Sequence, residues 1–127
     1  NVLELHGSVL RNHCEACGKF FSLEEVMASS GVPRCDKCGG RVKPDVVLYE
    51  EALDQQVLSA ALEAIRKADM LIIGGTSLAV YPAASLVNYY RGNRLVLINK
   101  SPTPYDRNAD LVIAAPIGQV LGGITVR

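Results

Sequence analysis

The sequence predicts an α/β protein with a parallel sheet and a small four-cysteine insert near its beginning. All four cysteines fall within residues 13–42, in two C-x2-C pairs. From residue 43 onward, short apolar runs typical of buried strands alternate with segments of helical spacing. Strand, helix and strand in this order form βαβ units, whose strands are parallel. We therefore predict a zinc-binding module at residues 13–42 and an α/β domain made from residues 1–12 and 43–127.

The composition argues against several classes of protein. The chain has 127 residues, 49% of them hydrophobic, and its thirteen basic residues balance thirteen acidic ones. This balance argues against nucleic-acid binding, which needs a basic surplus. No apolar run approaches the roughly 20 residues that span a membrane, and the first residues do not resemble a signal peptide. We therefore expect a cytoplasmic protein without a nucleic-acid or membrane partner. Because it begins at Asn1 rather than Met, we also expect a fragment.

Local patterns predict the individual strands and helices. Residues 2–5 and residues 45–49 are short runs that predict strands. Residues 54–68 repeat apolar side chains at helical spacing, and Asp54 is the predicted N-cap of that helix. Continuous apolar runs, as found in buried parallel strands, predict three further strands at residues 70–73, 94–98 and 110–114. Two prolines predict helix starts, for a helix at residues 82–91 and a short last helix after Pro116.

The four cysteines predict one structural zinc ion. Seventeen residues separate Cys14 and Cys17 from Cys35 and Cys38, so each pair can bind one side of a tetrahedral ion. Four thiolates suit zinc and leave no open coordination position, which indicates a structural rather than a catalytic ion. Two disulfides are the alternative, but they need an oxidising compartment that nothing in the sequence indicates. His13 precedes Cys14, and we expect it to be an exposed histidine rather than a ligand.

A loop of small residues follows the predicted strand at residues 70–73. Gly75 would let a ligand approach the backbone, and Thr76 and Ser77 supply hydroxyl groups, so this loop could hold a phosphate. Asn99 ends the next predicted strand, and ligands of open α/β sheets sit beyond the carboxyl ends of strands. The loop matches neither G-x-G-x-x-G nor a Walker A sequence, so a tight strand-to-helix turn is the alternative interpretation.

His6 is a candidate for proton transfer. It stands before Gly7, in a position that could open into a cleft. Histidine titrates near neutral pH and can act as a general acid or base. A lone histidine is more often structural, so residue type and position alone leave both roles open.

Together these segments resemble the sirtuin family of NAD-dependent protein deacylases over essentially the whole chain. The resemblance implies a partial Rossmann-like parallel sheet with a zinc-ribbon insert, as in the C-terminal part of a bacterial-type sirtuin catalytic domain. Five segments in the family's order carry it, namely the catalytic-histidine motif at residues 4–8, the four-cysteine module, the peptide-binding strand at residues 43–49, the G-T-S-L-x-V-x-P-A-A segment at residues 75–84 and the adenosine-side strand end at residues 97–99.

The resemblance also implies an activity and its residues. A sirtuin transfers the acyl group of an acyl-lysine peptide or protein to ADP-ribose and releases nicotinamide, using NAD and one structural Zn²⁺. His6 would be the general base, and the four cysteines would hold the zinc. The residues implied to contact NAD are Gly75, Thr76, Ser77, Asn99, Lys100, Ser101, Gly118 and Gln119. The residues implied to contact the substrate are Val46, Val47, Tyr49 and Val80.

The sequence also departs from the sirtuin pattern. Where the family usually shows F-G-E, it has Tyr49, Glu50 and Glu51, so Glu50 replaces a glycine whose backbone freedom it lacks. The G-A-G-I-S loop, the flexible cofactor loop and the Q-N-x-D segment of the family are missing, so we expect the isolated chain to be inactive or nearly so. The strands that accompany these segments would also be missing, which would leave an open sheet edge and predicts self-association.

Two other functions fit part of the sequence. A four-cysteine zinc ribbon can serve as a module that binds protein or nucleic acid, although the balanced charge counts against nucleic acid. A non-catalytic ADP-ribose-binding module is the other alternative. In that case the replacement of His6 would leave the function unchanged.

Overall fold

The chain folds into two units whose sheets differ in type. The computed structural model describes residues 1–125. The first unit, Asn1–Leu58, contains a three-stranded antiparallel sheet and all four cysteines. The second unit begins at Ser59 and contains a three-stranded parallel sheet. The predicted α/β fold with a parallel sheet and a four-cysteine insert is therefore confirmed.

The antiparallel sheet is built around one long strand. Its strands are β1 (Gly7–Cys14), β2 (Phe20–Ser22) and β3 (Val42–Val46). The order is β2-β1-β3, so both neighbours pair with β1. Because β1 begins directly after His6 and ends at Cys14, this single strand joins two candidate sites of the first unit.

A short helix follows β2, although the apolar spacing did not predict one. This helix, α1, spans Leu23–Met27. The Ser22 hydroxyl accepts the Glu25 N–H at 3.2 Å, and the Glu25 carboxylate accepts the Ser22 N–H at 2.7 Å. Such a reciprocal capping box satisfies N–H groups that a helix start otherwise leaves free. The spacing of Ser22 and Glu25 was the signal for this helix in the sequence.

The core of the first unit is small and includes two of the cysteines. Cys14, Phe21, Cys35 and Val42 are buried together, and Val26 packs against them. Half of this buried set therefore consists of candidate metal ligands. Few apolar side chains besides the cysteines are buried in the insert, which agrees with its expected dependence on a metal.

The prediction of a strand at residues 2–5 was wrong. The Gly7 N–H donates to the Glu4 carbonyl at 3.0 Å and closes a turn there, so the first strand starts only at Gly7. The apolar residues at positions 2–5 predicted an extended backbone, but a local hydrogen bond between Gly7 and Glu4 forms a turn instead.

The bounds predicted for the next strand, at residues 45–49, were also wrong. The strand β3 ends at Val46. Beyond it, the Glu51 carboxylate accepts the Leu48 N–H at 2.9 Å, and the Glu51 N–H donates to the Leu48 carbonyl at 3.1 Å. This turn uses backbone groups that a longer strand would need for pairing.

The predicted helix at residues 54–68 is confirmed as α2, which spans Gln55–Lys67. Asp54 caps it as predicted. Its carboxylate oxygen Oδ1 accepts the N–H groups of Gln56 at 2.8 Å and Val57 at 3.0 Å. These are two of the four N–H groups that the start of a helix leaves without partners.

The parallel sheet has the order β4-β5-β6. Its strands are β4 (Leu71–Gly74), β5 (Leu95–Ile98) and β6 (Leu111–Ile113), each with ends one residue or less from the predicted ones. The central strand is the most buried, with Leu97 and Ile98 only 1% and 2% exposed. The outer strands keep exposed apolar side chains, such as Ile72 on β4 and Leu111 on β6.

The helix predicted at residues 82–91 was wrong in type and length. It is a 3-10 helix that spans Ala83–Tyr89. Tyr90 has an extended backbone, and its hydroxyl donates to the Asp69 carbonyl and accepts the Arg94 N–H, both at 3.1 Å. These two tertiary hydrogen bonds hold Tyr90 outside the helix and end it early.

The last helix, α3, spans Ile117–Gly122 and follows Pro116, as predicted. Another 3-10 helix, Asp106–Asn108, lies in the connection between β5 and β6. In the part of the chain that the structure describes, no helix combines the length and the apolar character needed to cross a membrane.

Removing the side-chain cap of α2 should destabilise it. Asp54→Ala leaves the N–H groups of Gln56 and Val57 without their acceptor, and loss of such a cap costs about 1 kcal/mol of unfolding free energy. Urea unfolding followed by circular dichroism would measure the loss. Asp54→Ser keeps an acceptor oxygen and is the matched control. Equal losses in the two variants would contradict a role for the cap.

Candidate functional site

The four cysteine side chains converge on one point of the first unit. Their sulfur atoms all lie within 4.8 Å of one another. The Sγ–Sγ distance is 3.5 Å between Cys14 and Cys38 and 3.7 Å between Cys17 and Cys35. Four sulfurs bound tetrahedrally to zinc at about 2.3 Å would lie about 3.8 Å apart. The arrangement therefore fits one tetrahedral metal ion and agrees with a structural zinc.

The two C-x2-C pairs form equivalent turns. In each turn the carbonyl of the first cysteine accepts the N–H of the glycine that follows the second. The distance is 2.9 Å from Gly18 to Cys14 and 2.8 Å from Gly39 to Cys35. Two copies of one turn thus bring their four sulfurs together, as the sequence spacing predicted.

Two ion pairs cross between these turns. Lys19 follows the first turn and contacts Asp36 in the second at 2.6 Å. Arg41 follows the second turn and contacts Glu15 in the first at 3.1 Å. The hydrogen bond from Lys19 holds the pKa of Asp36 below its usual value. Surface ion pairs contribute little to stability, so these two pairs are not the main link between the turns.

Gly40 leaves the space that the sulfur cluster needs. A Cβ atom on this residue would lie 2.8 Å from the sulfur of Cys14 and 3.3 Å from that of Cys38. Any side chain at this position would push the two sulfurs out of place. Gly40 is thus a structural residue of the site that was not predicted. Its place directly after the C-x2-C-G sequence was the available signal.

The thiols influence one another's ionisation. Burial of Cys14 disfavours its thiolate, but the N–H groups of Cys17 and Ala16 and the neighbouring thiols outweigh it and lower the pKa of Cys14 to about 7. The Gly40 N–H favours the Cys38 thiolate, but the other three cysteines and burial raise the pKa of Cys38 to about 12. Neighbouring thiolates repel one another. A divalent cation removes this repulsion, so metal binding to such a site releases protons.

His13 lies outside the sulfur cluster. Its ring is exposed and meets Phe20 edge-on, with 5.5 Å between the ring centroids. Among residues 1–125, the group that can hold a metal consists of the four cysteines, all of them free rather than joined in disulfides. The expectation that His13 is an ordinary exposed histidine is confirmed.

His6 lies at a corner between β1 and β3. It sits in the turn that the Gly7 N–H and the Glu4 carbonyl close. Its own carbonyl accepts the Val47 N–H at 3.1 Å, just beyond the end of β3. Its side chain is exposed. The structure therefore brings His6 next to the strand end that carries Val46 and Val47.

Gly7 makes this close approach of two backbones possible. Its φ angle is +71°, and a Cβ atom there would lie 1.8 Å from the Asp45 carbonyl oxygen. Glycine tolerates both the angle and the contact, whereas other residues do not. Gly7 pairs with Val46, so this contact sets the position of His6 relative to β3.

The turn after β3 is held by Glu51. Its carboxylate accepts the Leu48 N–H at 2.9 Å and the Lys43 ammonium at 3.1 Å. These two hydrogen bonds, led by the one from Leu48, hold the pKa of Glu51 below its usual value. Lys43 also donates to the Val46 carbonyl at 2.9 Å. Glu51 and Lys43 thus order the strand end, and neither was among the predicted site residues.

Glu50 adopts the backbone conformation that a glycine would favour. Its φ angle is +70°, so the loop keeps a left-handed residue even though Glu replaces the glycine of F-G-E. The adjacent Tyr49 is fully exposed in the first unit. Val80 is exposed in the second unit. Neither of these two predicted substrate residues is enclosed within its own unit.

The carboxyl ends of β4 and β5 lie side by side in the second unit. The Gly75 N–H donates to the Ile98 carbonyl at 3.1 Å, which joins the loop after β4 to the end of β5. Asn99 follows directly, and its N–H bonds to the Ile113 carbonyl at 3.1 Å. Its side-chain amide donates to the Ser101 carbonyl at 3.0 Å. Gly75 and Asn99 are thus brought to one edge of the sheet, where α/β proteins bind ligands.

The helix α3 begins against the same edge. Its first residue, Ile117, contacts Gly74 so closely that a Cβ atom on that glycine would lie 2.2 Å from the Ile117 Cδ1 atom. The next residues, Gly118 and Gln119, are exposed. Gly74 is therefore needed for this packing, which places Gly118 and Gln119 next to the loop that starts at Gly75.

Thr76 helps to shape the loop after β4. Its hydroxyl oxygen accepts the Leu78 N–H at 3.2 Å, and Leu78 is a buried residue with a left-handed φ of 52°. The hydroxyl keeps its proton free to donate to a ligand. Ser77, Lys100 and Ser101 are also exposed. The predicted phosphate-binding loop therefore presents polar groups on an ordered backbone.

A sequence comparison decides the family. Residues 1–82, well over half of the chain, match the sequence profile described as "Sir2 family". The chain belongs to the Sir2 family. A relative from Clostridium perfringens (strain 13 / Type A), named "NAD-dependent protein deacetylase", is 64% identical over 125 residues, which cover 98% of this chain and 51% of the relative. A relative of the same name from Clostridium acetobutylicum is 62% identical over 122 residues, which cover 95% of this chain and 50% of the relative. This Sir2-family chain thus spans about half the length of these curated relatives.

Solved Sir2 structures resemble the chain. A structure described as "Sir2-p53 peptide-NAD+" matches with a TM-score of 0.85 at 34% identity, over 98% of this chain and 57% of that one. Another, "Sir2 bound to acetylated peptide", matches with a TM-score of 0.84 at 34% identity and the same coverage of 98% and 57%. These likenesses confirm the fold class of this Sir2-family chain.

Replacement of one cysteine should abolish metal binding. In Cys14→Ser a neutral hydroxyl replaces a thiolate, and hydroxyls are poor zinc ligands. We expect bound zinc, measured by mass spectrometry of the purified protein, to fall from about one ion per chain to nearly none. His13→Ala changes the adjacent exposed residue and should keep its zinc. Full zinc retention by Cys14→Ser would contradict a four-cysteine site.

Proposed function

We propose that this chain is part of an NAD-dependent protein-lysine deacylase that transfers an acyl group from lysine to ADP-ribose and releases nicotinamide. The hydrogen bond between the His6 carbonyl and the Val47 N–H carries the proposal, because it sets the candidate base beside the candidate substrate strand. The relatives named "NAD-dependent protein deacetylase" support it. Because the chain spans about half of their length, the activity is proposed for the protein that carries the chain.

The zinc ion has a structural role in this proposal. Its ligands would be Cys14, Cys17, Cys35 and Cys38. Four thiolates leave no position for water or substrate, so the ion would not take part in the reaction. It would hold the end of β1 at Cys14, and the same strand begins beside His6.

NAD would bind with its adenosine side at the carboxyl edge of β4 and β5. There Gly75 lets the ligand approach the backbone, and the free proton of the Thr76 hydroxyl can be donated. When bound, NAD supplies the ADP-ribosyl group that accepts the acyl group. The proposed contacts are Gly75, Thr76, Ser77, Asn99, Lys100, Ser101, Gly118 and Gln119.

His6 would act as the general base. Its exposed imidazole can accept a proton from a ribose hydroxyl, and histidine exchanges protons readily near neutral pH. The His6 carbonyl bonds to the Val47 N–H, and the adjacent Gly7 packs closely against the Asp45 carbonyl. These two contacts order the main chain from which the His6 side chain extends.

The Val47 carbonyl would accept a hydrogen bond from the acyl-lysine amide. The carbonyl and the following N–H of a planar trans peptide point in opposite directions. The Leu48 N–H donates to the Glu51 carboxylate, so this peptide unit has a fixed orientation with its carbonyl turned away from Glu51. Val46, Tyr49 and Val80 complete the proposed substrate contacts, and Val80 belongs to the second unit.

We expect residues 1–127 alone to be inactive or nearly so. The segments that bind the pyrophosphate and the nicotinamide end in the sirtuin family have no counterpart among them. The proposed adenosine contacts all lie within the chain, so weak binding of ADP-ribose by the isolated chain is compatible with a lack of turnover. The cytoplasmic location stays a prediction.

The deacylase proposal is tested on the protein that carries the chain, by release of free lysine peptide from an acetyl-lysine peptide with NAD. The wild type should turn over, and His6→Ala should lose at least roughly 100-fold in kcat, as expected for loss of a general base. Calorimetry should show ADP-ribose binding to both, because His6 lies outside the proposed adenosine contacts.

Asn99→Ala is the complementary variant for the cofactor site. It removes the amide that bonds to Ser101 and should weaken ADP-ribose binding while zinc content is retained. If the wild type binds ADP-ribose but releases no lysine peptide, the protein is a non-catalytic ADP-ribose binder. If it is folded with zinc and binds neither NAD nor ADP-ribose, the chain is a zinc-ribbon scaffold and the deacylase proposal fails.

Self-association of the isolated chain is a second part of the proposal. The strand β4 is an outer strand of its sheet and carries the half-exposed Ile72, with the exposed Met70 just before it. Outer strands with apolar side chains tend to pair with other chains. Light scattering should show mass rising above that of one chain as concentration increases. A constant monomer mass at high concentration would contradict this expectation.

A further inference from the structure

Arg11 joins two segments that flank the proposed reacting groups. Its guanidinium contacts the Glu4 carboxylate at 2.8 Å and the Asp45 carboxylate at 3.0 Å. Glu4 lies two residues before His6, and Asp45 lies two residues before Val47. One side chain therefore spans from the segment of the proposed base to the strand of the proposed substrate contact.

The placement of Arg11 results from an irregularity in β1. Ser8 pairs with Asp45 and Asn12 pairs with the adjacent Pro44, so the residues between Ser8 and Asn12 have no partners on β3. Asn12 is almost fully buried, and its side-chain amide donates to the Val9 carbonyl at 3.1 Å. A buried polar group of this kind holds the bulge in one conformation.

The two arms of the turn that carries His6 are held differently. The arm after His6 pairs with β3 through Gly7 and Val46. The arm before it bonds within the turn, through the Glu4 carbonyl. Within residues 1–125, and apart from that turn hydrogen bond to Gly7, the contact from Arg11 to Glu4 is the one hydrogen bond or ion pair that joins residues 1–5 to the sheet.

The geometry suits arginine in particular. Its planar guanidinium has several N–H groups in fixed directions, so Nε can bond to Asp45 while Nη1 bonds to Glu4. A lysine ammonium is a compact point charge and does not reproduce this fork. Exposed ion pairs contribute little to stability. The bridge that Arg11 makes between Glu4 and Asp45 should therefore affect the position of the turn rather than the stability of the fold.

We propose that Arg11 is a positioning residue that holds the turn carrying His6 in register with the strand carrying Val47, through its paired contacts with Glu4 and Asp45. Arg11 is not among the proposed contacts of NAD or of the substrate. It acts through the backbone of the turn and of β3. The expected effect on kcat rests on the proposed deacylase function. The expected effect on the position of the turn does not.

The kinetic test uses Arg11→Gln in the protein that carries the chain, with an acetyl-lysine peptide and NAD. We expect kcat to fall roughly ten-fold, since small displacements of a catalytic group reduce rates strongly. KM for NAD and the zinc content should stay at wild-type values. Arg11→Lys should give an intermediate kcat, because one ammonium replaces only part of the fork.

The structural test is hydrogen exchange of the Val47 N–H, which bonds to the His6 carbonyl. It should exchange faster in Arg11→Gln than in the wild type. Glu4→Ala should speed the exchange in the wild type but have no further effect in Arg11→Gln, because the two changes remove the same ion pair. Additive effects would contradict the bridge.

Arg41→Gln is the matched control, because it removes another arginine ion pair, that with Glu15, from the same unit. It should leave kcat and the Val47 exchange unchanged. Unchanged kcat and unchanged exchange in Arg11→Gln would overturn the proposal, as would equal effects of the two arginine variants. If the wild type shows no turnover, the deacylase proposal fails, and the exchange data still decide the role of Arg11.

Discussion

Four sulfur atoms within 4.8 Å of one another are the constraint on which the first unit depends. Thiolates at this distance repel one another, and a divalent cation turns the repulsion into attraction. The buried cluster of the unit holds only Phe21 and Val42 besides Cys14 and Cys35, with Val26 at its border. A core this small stabilises little by apolar burial, so the two turns, their crossing ion pairs and the antiparallel sheet all depend on the metal site.

The strand β1 transmits this constraint to the proposed catalytic corner. It ends at Cys14 and begins at Gly7, so a sheet ordered at one end is ordered at the other. Gly7 then permits the close approach to Asp45 that places His6 beside Val47. A structural ion can in this way influence a reaction in which it takes no part.

The second unit reaches its candidate site by a different physical route. Its parallel strands end at one edge, where Gly75 meets the end of β5 and Ile117 packs against Gly74. A small residue is needed at Gly74, because a side chain there would collide with Ile117. Polar groups of Thr76 and Asn99 are ordered by hydrogen bonds within their loops. The edge is therefore ordered by backbone packing and local hydrogen bonds rather than by a metal.

The sequence by itself determined the parallel strands, α2 with its Asp54 cap and the four-cysteine cluster, because apolar periodicity, capping chemistry and C-x2-C spacing act over short distances along the chain. It pointed to His6, Gly75 and Asn99, but their roles stay predictions. Only the tertiary structure decided where β1 and β3 begin and end, and why the helix after Pro82 stops at Tyr89. It also revealed the parts played by Gly40, Glu51 and Arg11. Each of these depends on a partner brought close only by folding, such as the sulfur of Cys14, the Leu48 N–H or the carboxylate of Asp45, and no local pattern encodes that proximity.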